Sequence, residues 1–197
     1  VYWCTADPGW VTGTSYGIIG PWSLGVTQCV LDSGFTTRRW YQFIQDNRVT
    51  VWYSAPTAIR SLMRDGDEPV KEFDLSSLRH LASVGEPLNA EAVIWSQEAL
   101  GMPFMDTFWQ TETGAIMISP LPGVTATKPG SAQRPLPGIS ADVIDDLGQS
   151  VPDGGGGYLV LAEPWPSMLR TIWGDDQRFI DTYWSRFEGT YFAGDGA

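Results

Sequence analysis

The sequence predicts an α/β fold: a mostly parallel sheet flanked by helices, followed by a small antiparallel, barrel-like β subdomain. Three observations predict it. Residues 1 to about 118 alternate short β-like runs with helical patterns, and repeated alternation of that kind builds a parallel sheet with helices on its faces. Beyond Pro120, proline and glycine become frequent and the apolar runs shorten, as in antiparallel hairpins. The third observation is Asp106-Thr-Phe-Trp-Gln-Thr-Glu-Thr-Gly114, which mixes two aromatics, several hydroxyl or amide groups, two carboxylates and a glycine. A core strand would not carry so many polar groups, because each buried one needs a partner. A solvated loop would not carry Phe108 beside Trp109. The mixture suits a turn that lines a ligand site.

The elements follow in order. Val1-Tyr-Trp-Cys4 and Gln28-Cys-Val-Leu31 read as strands. Thr37 to Asn47 reads as a helix, with Thr36 or Thr37 as N-cap and Trp40, Phe43 and Ile44 on one face. Val49 to Tyr53 is β-branched and aromatic, hence a strand. Pro56 opens a helix running from Thr57 to Arg64. Leu81 to Val84 is a short strand, Asn89 caps the helix Ala90 to Leu100, and Gly101 ends it. Pro103 to Asp106 is the strand that delivers the polar–aromatic turn. Ligands of such sheets bind beyond the carboxyl ends of the strands. Ser54-Ala-Pro56, Gly85-Glu-Pro87 and Asp106–Gly114 stand there. A division into residues 1–122 (α/β) and 123–197 (β-rich) follows from the change of texture. In the second part, Ile139 to Ile144 and Tyr158 to Leu161 read as antiparallel strands. Gly154–Gly157 reads as a hairpin turn after Pro152-Asp153, because no Lys-Ser/Thr follows and no helix starts there, as a phosphate loop would require.

Composition narrows the function classes. The chain has a formal charge of −11 and only 12 Lys and Arg against 23 Asp and Glu, which argues against a nucleic-acid partner and against an anionic membrane surface. No apolar run approaches membrane-spanning length. Cys4 and Cys29 read as free thiols of a reducing cytosol. His80 is the only histidine, which argues against a Ser-His-Asp triad or a His-rich zinc site, and His80 itself reads as a packing or surface residue.

Asp106–Gly114, Ser83-Val-Gly-Glu-Pro87 and Tyr191-Phe-Ala-Gly-Asp-Gly196 together resemble the adenylate-forming ligase superfamily, and within it the AMP-forming acetate–CoA ligase family. Trp3–Gly13, Tyr53–Ala58 and Arg170–Asp175 support the resemblance, which covers essentially the whole chain in the family's order. It implies an enzyme that joins acetate and ATP to give an acetyl-adenylate and pyrophosphate. Coenzyme A then displaces AMP to give the thioester. ATP, Mg²⁺ and coenzyme A are the implied cofactors and co-substrates, small molecules the only implied partners, and the cytoplasm the implied location.

By the same resemblance, Gly85, Glu86 and Pro87 lie against adenine. Asp106, Thr107, Phe108, Trp109, Gln110 and Thr111 contact the rest of AMP, with Thr111 donating to the α-phosphate. Glu112 helps to hold Mg²⁺, and Asp195 accepts the ribose hydroxyls. Val11, Thr12, Val84 and Trp109 form the acyl pocket, and Thr12 and Ala55 border the coenzyme A channel. A ligase for propionate or another short acid, and a non-catalytic nucleotide-binding relative, are the alternative readings. Thr14 and Phe108 depart from residues common in the family, and Asp32 to Arg39 does not match its usual loop. The family's phosphate loop and adenylating lysine find no match here, so residues 1–197 are expected to be an internal fragment of the large domain and to be inactive alone.

Overall fold

The computed structural model describes residues 1–197. The chain forms two compact units: Val1–Trp109 with Ile118–Arg134, and Gln110–Met117 with Pro135–Ala197.

The first unit is built on five short strands, β1 (Tyr2–Cys4), β2 (Gln28–Cys29), β3 (Val51–Ser54), β4 (His80–Ser83) and β5 (Phe104–Asp106). All are parallel, in the order β2-β1-β3-β4-β5. The register aligns Trp3, Trp52, Leu81 and Phe104 across four strands. Side chains alternate along a strand, so these four point to one face. That face carries the core, packed by Trp40, Tyr41 and Ile44 of α2 (Thr37–Asn47), Ile59 and Leu62 of α3 (Pro56–Asp65), and Ala92 and Val93 of α4 (Ala90–Ala99). The rings interlock: Trp3 stacks on Trp52 at 5.8 Å, and Trp52 meets Phe104 edge-on at 5.2 Å.

The next rung, Cys4, Tyr53, Ala82 and Met105, belongs to the opposite face. A π-helical segment, Thr12–Ile19, covers part of it and runs into the short α1 (Gly20–Ser23). A Cβ added at Gly17 would lie 3.6 Å from Cys4, and the Tyr16 ring sits 5.5 Å from that of Tyr53. The sequence does not predict this segment. Gly13, Gly17 and Gly20 depress its helix propensity, and the close approach of backbone explains one of them. A Cβ at Gly13 would lie 2.1 Å from the Asp7 carbonyl oxygen.

Several boundaries differ from the sequence reading. Thr36 is the N-cap of α2, its hydroxyl accepting from the Arg39 N–H at 3.3 Å. Arg48 adopts a left-handed conformation (φ 50°) that ends α2 and delays β3 to Val51, although Val49 is already buried. Asn89 occupies the N-cap of α4, but its side chain donates to Glu91 at 2.8 Å and accepts no N–H from the helix. The cap there is conformational only. His80 is half-buried in β4, and burial pushes its pKa down. Cys4 and Cys29 are free thiols. No helix is long and apolar enough to cross a membrane.

In the second unit β6 (Ala141–Ile144), β7 (Tyr158–Leu161) and β8 (Tyr191–Gly196) form an antiparallel sheet in that order. The glycine run starts no helix. It follows a turn in which the Gly155 N–H donates to the Pro152 carbonyl at 2.9 Å, and a Cβ at Gly157 would lie 2.4 Å from the Ile144 carbonyl oxygen. α5 (Asp176–Tyr183) is capped by Asp175, which accepts from the Arg178 N–H at 3.1 Å. Sequence reasoning misses α5 because it is short and buries no residue.

Trp52 is fully buried at the centre of the aromatic rung. Trp52→Ala is expected to lower stability by about 3–5 kcal/mol, read by equilibrium urea unfolding; a loss below about 1 kcal/mol would contradict this packing.

Candidate functional site

Three predicted ligand segments leave the sheet side by side. The register pairs Ser54 with Ser83 and Ser83 with Asp106. The ladder extends one residue further, with the Val84 N–H on the Ser54 carbonyl (3.1 Å) and the Thr107 N–H on the Ser83 carbonyl (2.9 Å). Ala55–Pro56, Val84–Pro87 and Thr107–Trp109 therefore start from one edge, the carboxyl edge of β3, β4 and β5, where ligands of such sheets bind. Ala55 is half-buried and extended, and its chain turns directly into α3 through Pro56.

Trp109 is fixed by a directional chain of hydrogen bonds. Its indole N–H can only donate, and it does so to the Tyr53 hydroxyl at 3.1 Å. Thr107 donates its hydroxyl to the Ser83 carbonyl at 2.7 Å. The Tyr53 hydroxyl, 2.8 Å from the Thr107 oxygen, must then be the donor between them. Tyr53, Thr107 and Trp109 are all buried, so the chain leaves none of their donors unsatisfied. Burial pushes the Tyr53 pKa up, which keeps the phenol neutral. The Tyr16 ring packs 5.0 Å from Trp109. Val84 is buried, and Val11 and Thr12 are half-buried at the start of the helical segment that carries Tyr16. Phe108 is half-buried and pairs its backbone with Ile118 at 2.8 and 3.2 Å.

The Gly85–Pro87 turn is exposed. Gly85 has φ +101°, which demands glycine, and a Cβ there would meet no other atom within 4 Å. The Glu86 carboxylate is engaged by Arg60 at 2.7 Å and by the Thr57 hydroxyl at 2.8 Å. The hydrogen bond from Arg60 holds its pKa below the usual carboxylate range. Asp106 is half-buried and accepts from the Leu88 N–H at 3.1 Å.

The polar half of the string, Gln110–Gly114, belongs to the second unit. Thr113 is fully buried and folds the turn: its hydroxyl accepts from the Gln110 N–H at 2.9 Å and donates to the Gln110 carbonyl at 3.0 Å. Gly114 has φ +72°, and a Cβ there would lie 2.0 Å from the Ser167 carbonyl oxygen. These two residues build the turn and present the others. Thr111 is exposed. Gln110 donates to the Asp195 carboxylate and to the Ala193 carbonyl, both at 2.7 Å, and accepts from the Tyr191 hydroxyl at 2.8 Å. That network ties the turn to β8 and leaves one Asp195 carboxylate oxygen without a bond from this network.

Glu112 accepts from the Tyr183 hydroxyl at 2.9 Å through one carboxylate oxygen. Tyr183 in turn stacks on Tyr191 at 5.6 Å. No three His, Cys, Asp or Glu side chains converge into a metal cage. The Glu112 carboxylate is a hard oxygen donor, the type that Mg²⁺ prefers.

Sequence reasoning misses Tyr53, Tyr183, Tyr191 and Thr113 as parts of these sites. Tyr53 had a signal: it follows Trp52 in a strand, so alternation alone sends it to the face opposite the core. Tyr183 had none, its partner lying 71 residues away, and Tyr191, although it opens a string singled out in the sequence, bonds a residue 81 positions away.

Burial pushes the Asp106 carboxyl up, against the opposing donations from the Leu88 and Thr107 N–H groups. A raised folded pKa favours the protonated form in the fold, so stability declines as pH rises through that value. Asp106→Asn is expected to raise the urea midpoint at pH 7, with the difference vanishing by about pH 3, below the ordinary Asp pKa. A lower midpoint at pH 7 would show that the carboxylate supports the fold.

The profile of the family described as "AMP-binding enzyme" matches residues 1–173. Over the full chain, the acetyl-coenzyme A synthetase of Streptomyces avermitilis is 66% identical and that of Streptomyces coelicolor 64%, and in each case the chain spans 31% of the relative's length. The Mycolicibacterium smegmatis acetyl-coenzyme A synthetase is 58% identical over all of this chain and 22% of its own. Among solved structures, the Brucella canis acyl-CoA synthetase superposes with a TM-score of 0.86 at 32% identity, covering all of this chain and 35% of that one. With the family profile matched from β1 through the polar–aromatic turn and onward to Trp173, the chain belongs to the AMP-binding enzyme family.

Proposed function

We propose that this chain supplies acyl- and nucleotide-binding parts of an AMP-forming acetate–CoA ligase of the cytoplasm. The observation that carries the reading is the 66% identity, along its whole length, to an acetyl-coenzyme A synthetase. The buried, hydrogen-bonded Trp109 adds a physical reason for the acid to be small.

In the adenylation half, the acetate oxygen attacks the α-phosphorus of ATP and pyrophosphate leaves. Catalysis of this kind is mostly positioning and electrostatic stabilisation. Gly85 to Pro87 offer an exposed turn without a Cβ at its first residue, against which adenine can lie. Asp106 to Thr111 bound the rest of AMP, and the exposed Thr111 hydroxyl donates to the α-phosphate. Asp195 accepts ribose hydroxyls, held by the Gln110 amide. Glu112, oriented by Tyr183, would hold Mg²⁺. When bound, that ion neutralises phosphate charge. In the thioester half, the coenzyme A thiol attacks the acyl carbon and AMP leaves, and the small Ala55 and Thr12 leave room for the thiol's approach.

Val11, Thr12, Val84 and Trp109 bound the acyl group in this reading. Each further methylene would gain about 0.8 kcal/mol in an open apolar pocket, but a fixed indole turns that gain into a clash. Trp109→Gly, in the full-length protein carrying residues 1–197, is therefore expected to shift the kcat/KM preference from acetate toward hexanoate by at least about tenfold. An unchanged ratio of kcat/KM for the two acids would refute the assignment of Trp109 as the pocket wall.

A further inference from the structure

We infer that Tyr53 is the positioning residue that sets acyl-chain selectivity by fixing the angle of the Trp109 indole, an inference that rests on the acyl-pocket reading of Trp109 given above. The Trp109 indole N–H finds its acceptor outside the polar–aromatic string, on β3. Packing against Tyr16 confines the buried indole but bonds nothing to its N–H edge. A hydrogen bond from its single N–H does constrain it, because the donor lies in the ring plane at one edge. In this protein that bond ends on the Tyr53 hydroxyl at 3.1 Å.

The acceptor is itself immobile. Tyr53 is 3% exposed, lies in β3 at the centre of the parallel sheet, and spends its own proton on Thr107, which is anchored to the Ser83 carbonyl of β4. The chain therefore refers the indole edge to the backbone of the sheet through two hydroxyl groups. Tyr16 completes the setting, with its ring 5.0 Å from Trp109 and 5.5 Å from Tyr53. No charged side chain enters the chain, and Tyr53 stays neutral, so the bond does not change with pH across the working range.

Removal of one oxygen isolates the effect. Tyr53→Phe keeps the ring and its contact with Tyr16, but strands the Trp109 N–H, buried, without an acceptor. The indole then gains by tilting toward any other acceptor, and the wall moves. The experiment measures kcat/KM for acetate and butanoate, and KM for ATP, in the full-length protein carrying residues 1–197. Four forms are compared: wild type, Tyr53→Phe, Trp109→Phe and the double variant. Trp109→Phe keeps an aromatic wall but removes the N–H.

Tyr53→Phe is expected to reduce the acetate-to-butanoate ratio about fivefold to tenfold, the scale of one stranded buried donor, while KM for ATP stays within about twofold. In the Trp109→Phe background the same substitution is expected to change the ratio no further, since the bond is already gone. An unchanged ratio in Tyr53→Phe, in a protein where Trp109→Gly does shift it, would overturn the role of Tyr53 and leave the pocket wall standing. Equal effects of Tyr53→Phe in both backgrounds, or loss of activity with both acids, would also overturn it, because they mark general damage. If Trp109→Gly itself leaves selectivity unchanged, the pocket reading fails first, and this inference falls with it.

Discussion

The parallel register that aligns Trp3, Trp52, Leu81 and Phe104 constrains everything else in the first unit. Because strand side chains alternate with a period of two, a slip of one residue would turn each of them to the other face. Trp52 would leave the aromatic core and Tyr53 would enter it, carrying a hydroxyl into apolar surroundings at a cost of a few kcal/mol. The interlocked rings of Trp3, Trp40, Trp52 and Phe104 resist that slip. The same register brings Ser54, Ser83 and Asp106 level, so the loops that follow them start from one edge. Core packing on one face thus places the loop chemistry at the end of the sheet, although the two share no residue.

The polar residues of the candidate loops divide by whether the chain satisfies them. Thr107 and Thr113 are buried, with their hydroxyls bonded to main-chain groups. They shape the turn. Thr111, Gly85 and Asp195 are exposed. A string that reads in sequence as uniformly polar and aromatic therefore contains two kinds of residue, one that builds the turn and one that is presented by it. Tyrosines do much of the presenting. Tyr53 holds Trp109, Tyr191 holds Gln110, and Tyr183 holds Glu112, each through a hydroxyl at 2.8 to 3.1 Å.

Much of the fold was legible because the helices and strands of the first unit obey simple periodicities. α2 shows its apolar face at Trp40, Phe43 and Ile44, and α3 announces itself with Pro56. The π-helical segment was not legible, since its glycines depress helix propensity and one of them, Gly13, answers to backbone contact with Asp7. α5 was hidden by its shortness, eight residues of which none is fully buried. The loops of the candidate site could be located by their odd composition and by strand order. Their internal wiring could not, because the Tyr53–Trp109, Tyr183–Glu112 and Tyr191–Gln110 bonds join residues 56, 71 and 81 positions apart. Asn89 shows the converse case: a residue type suited to capping that spends its side chain on Glu91.

The proposed function has Trp109, pinned to the sheet through Tyr53, close the acyl site of this member of the AMP-binding enzyme family. Its most direct test is a profile of acid-dependent ATP–pyrophosphate exchange for acetate, propanoate, butanoate and hexanoate, using the full-length protein that carries this chain. The highest kcat/KM is expected for acetate, with a steady fall as the acyl chain lengthens. Butanoate or hexanoate matching or exceeding acetate would contradict it.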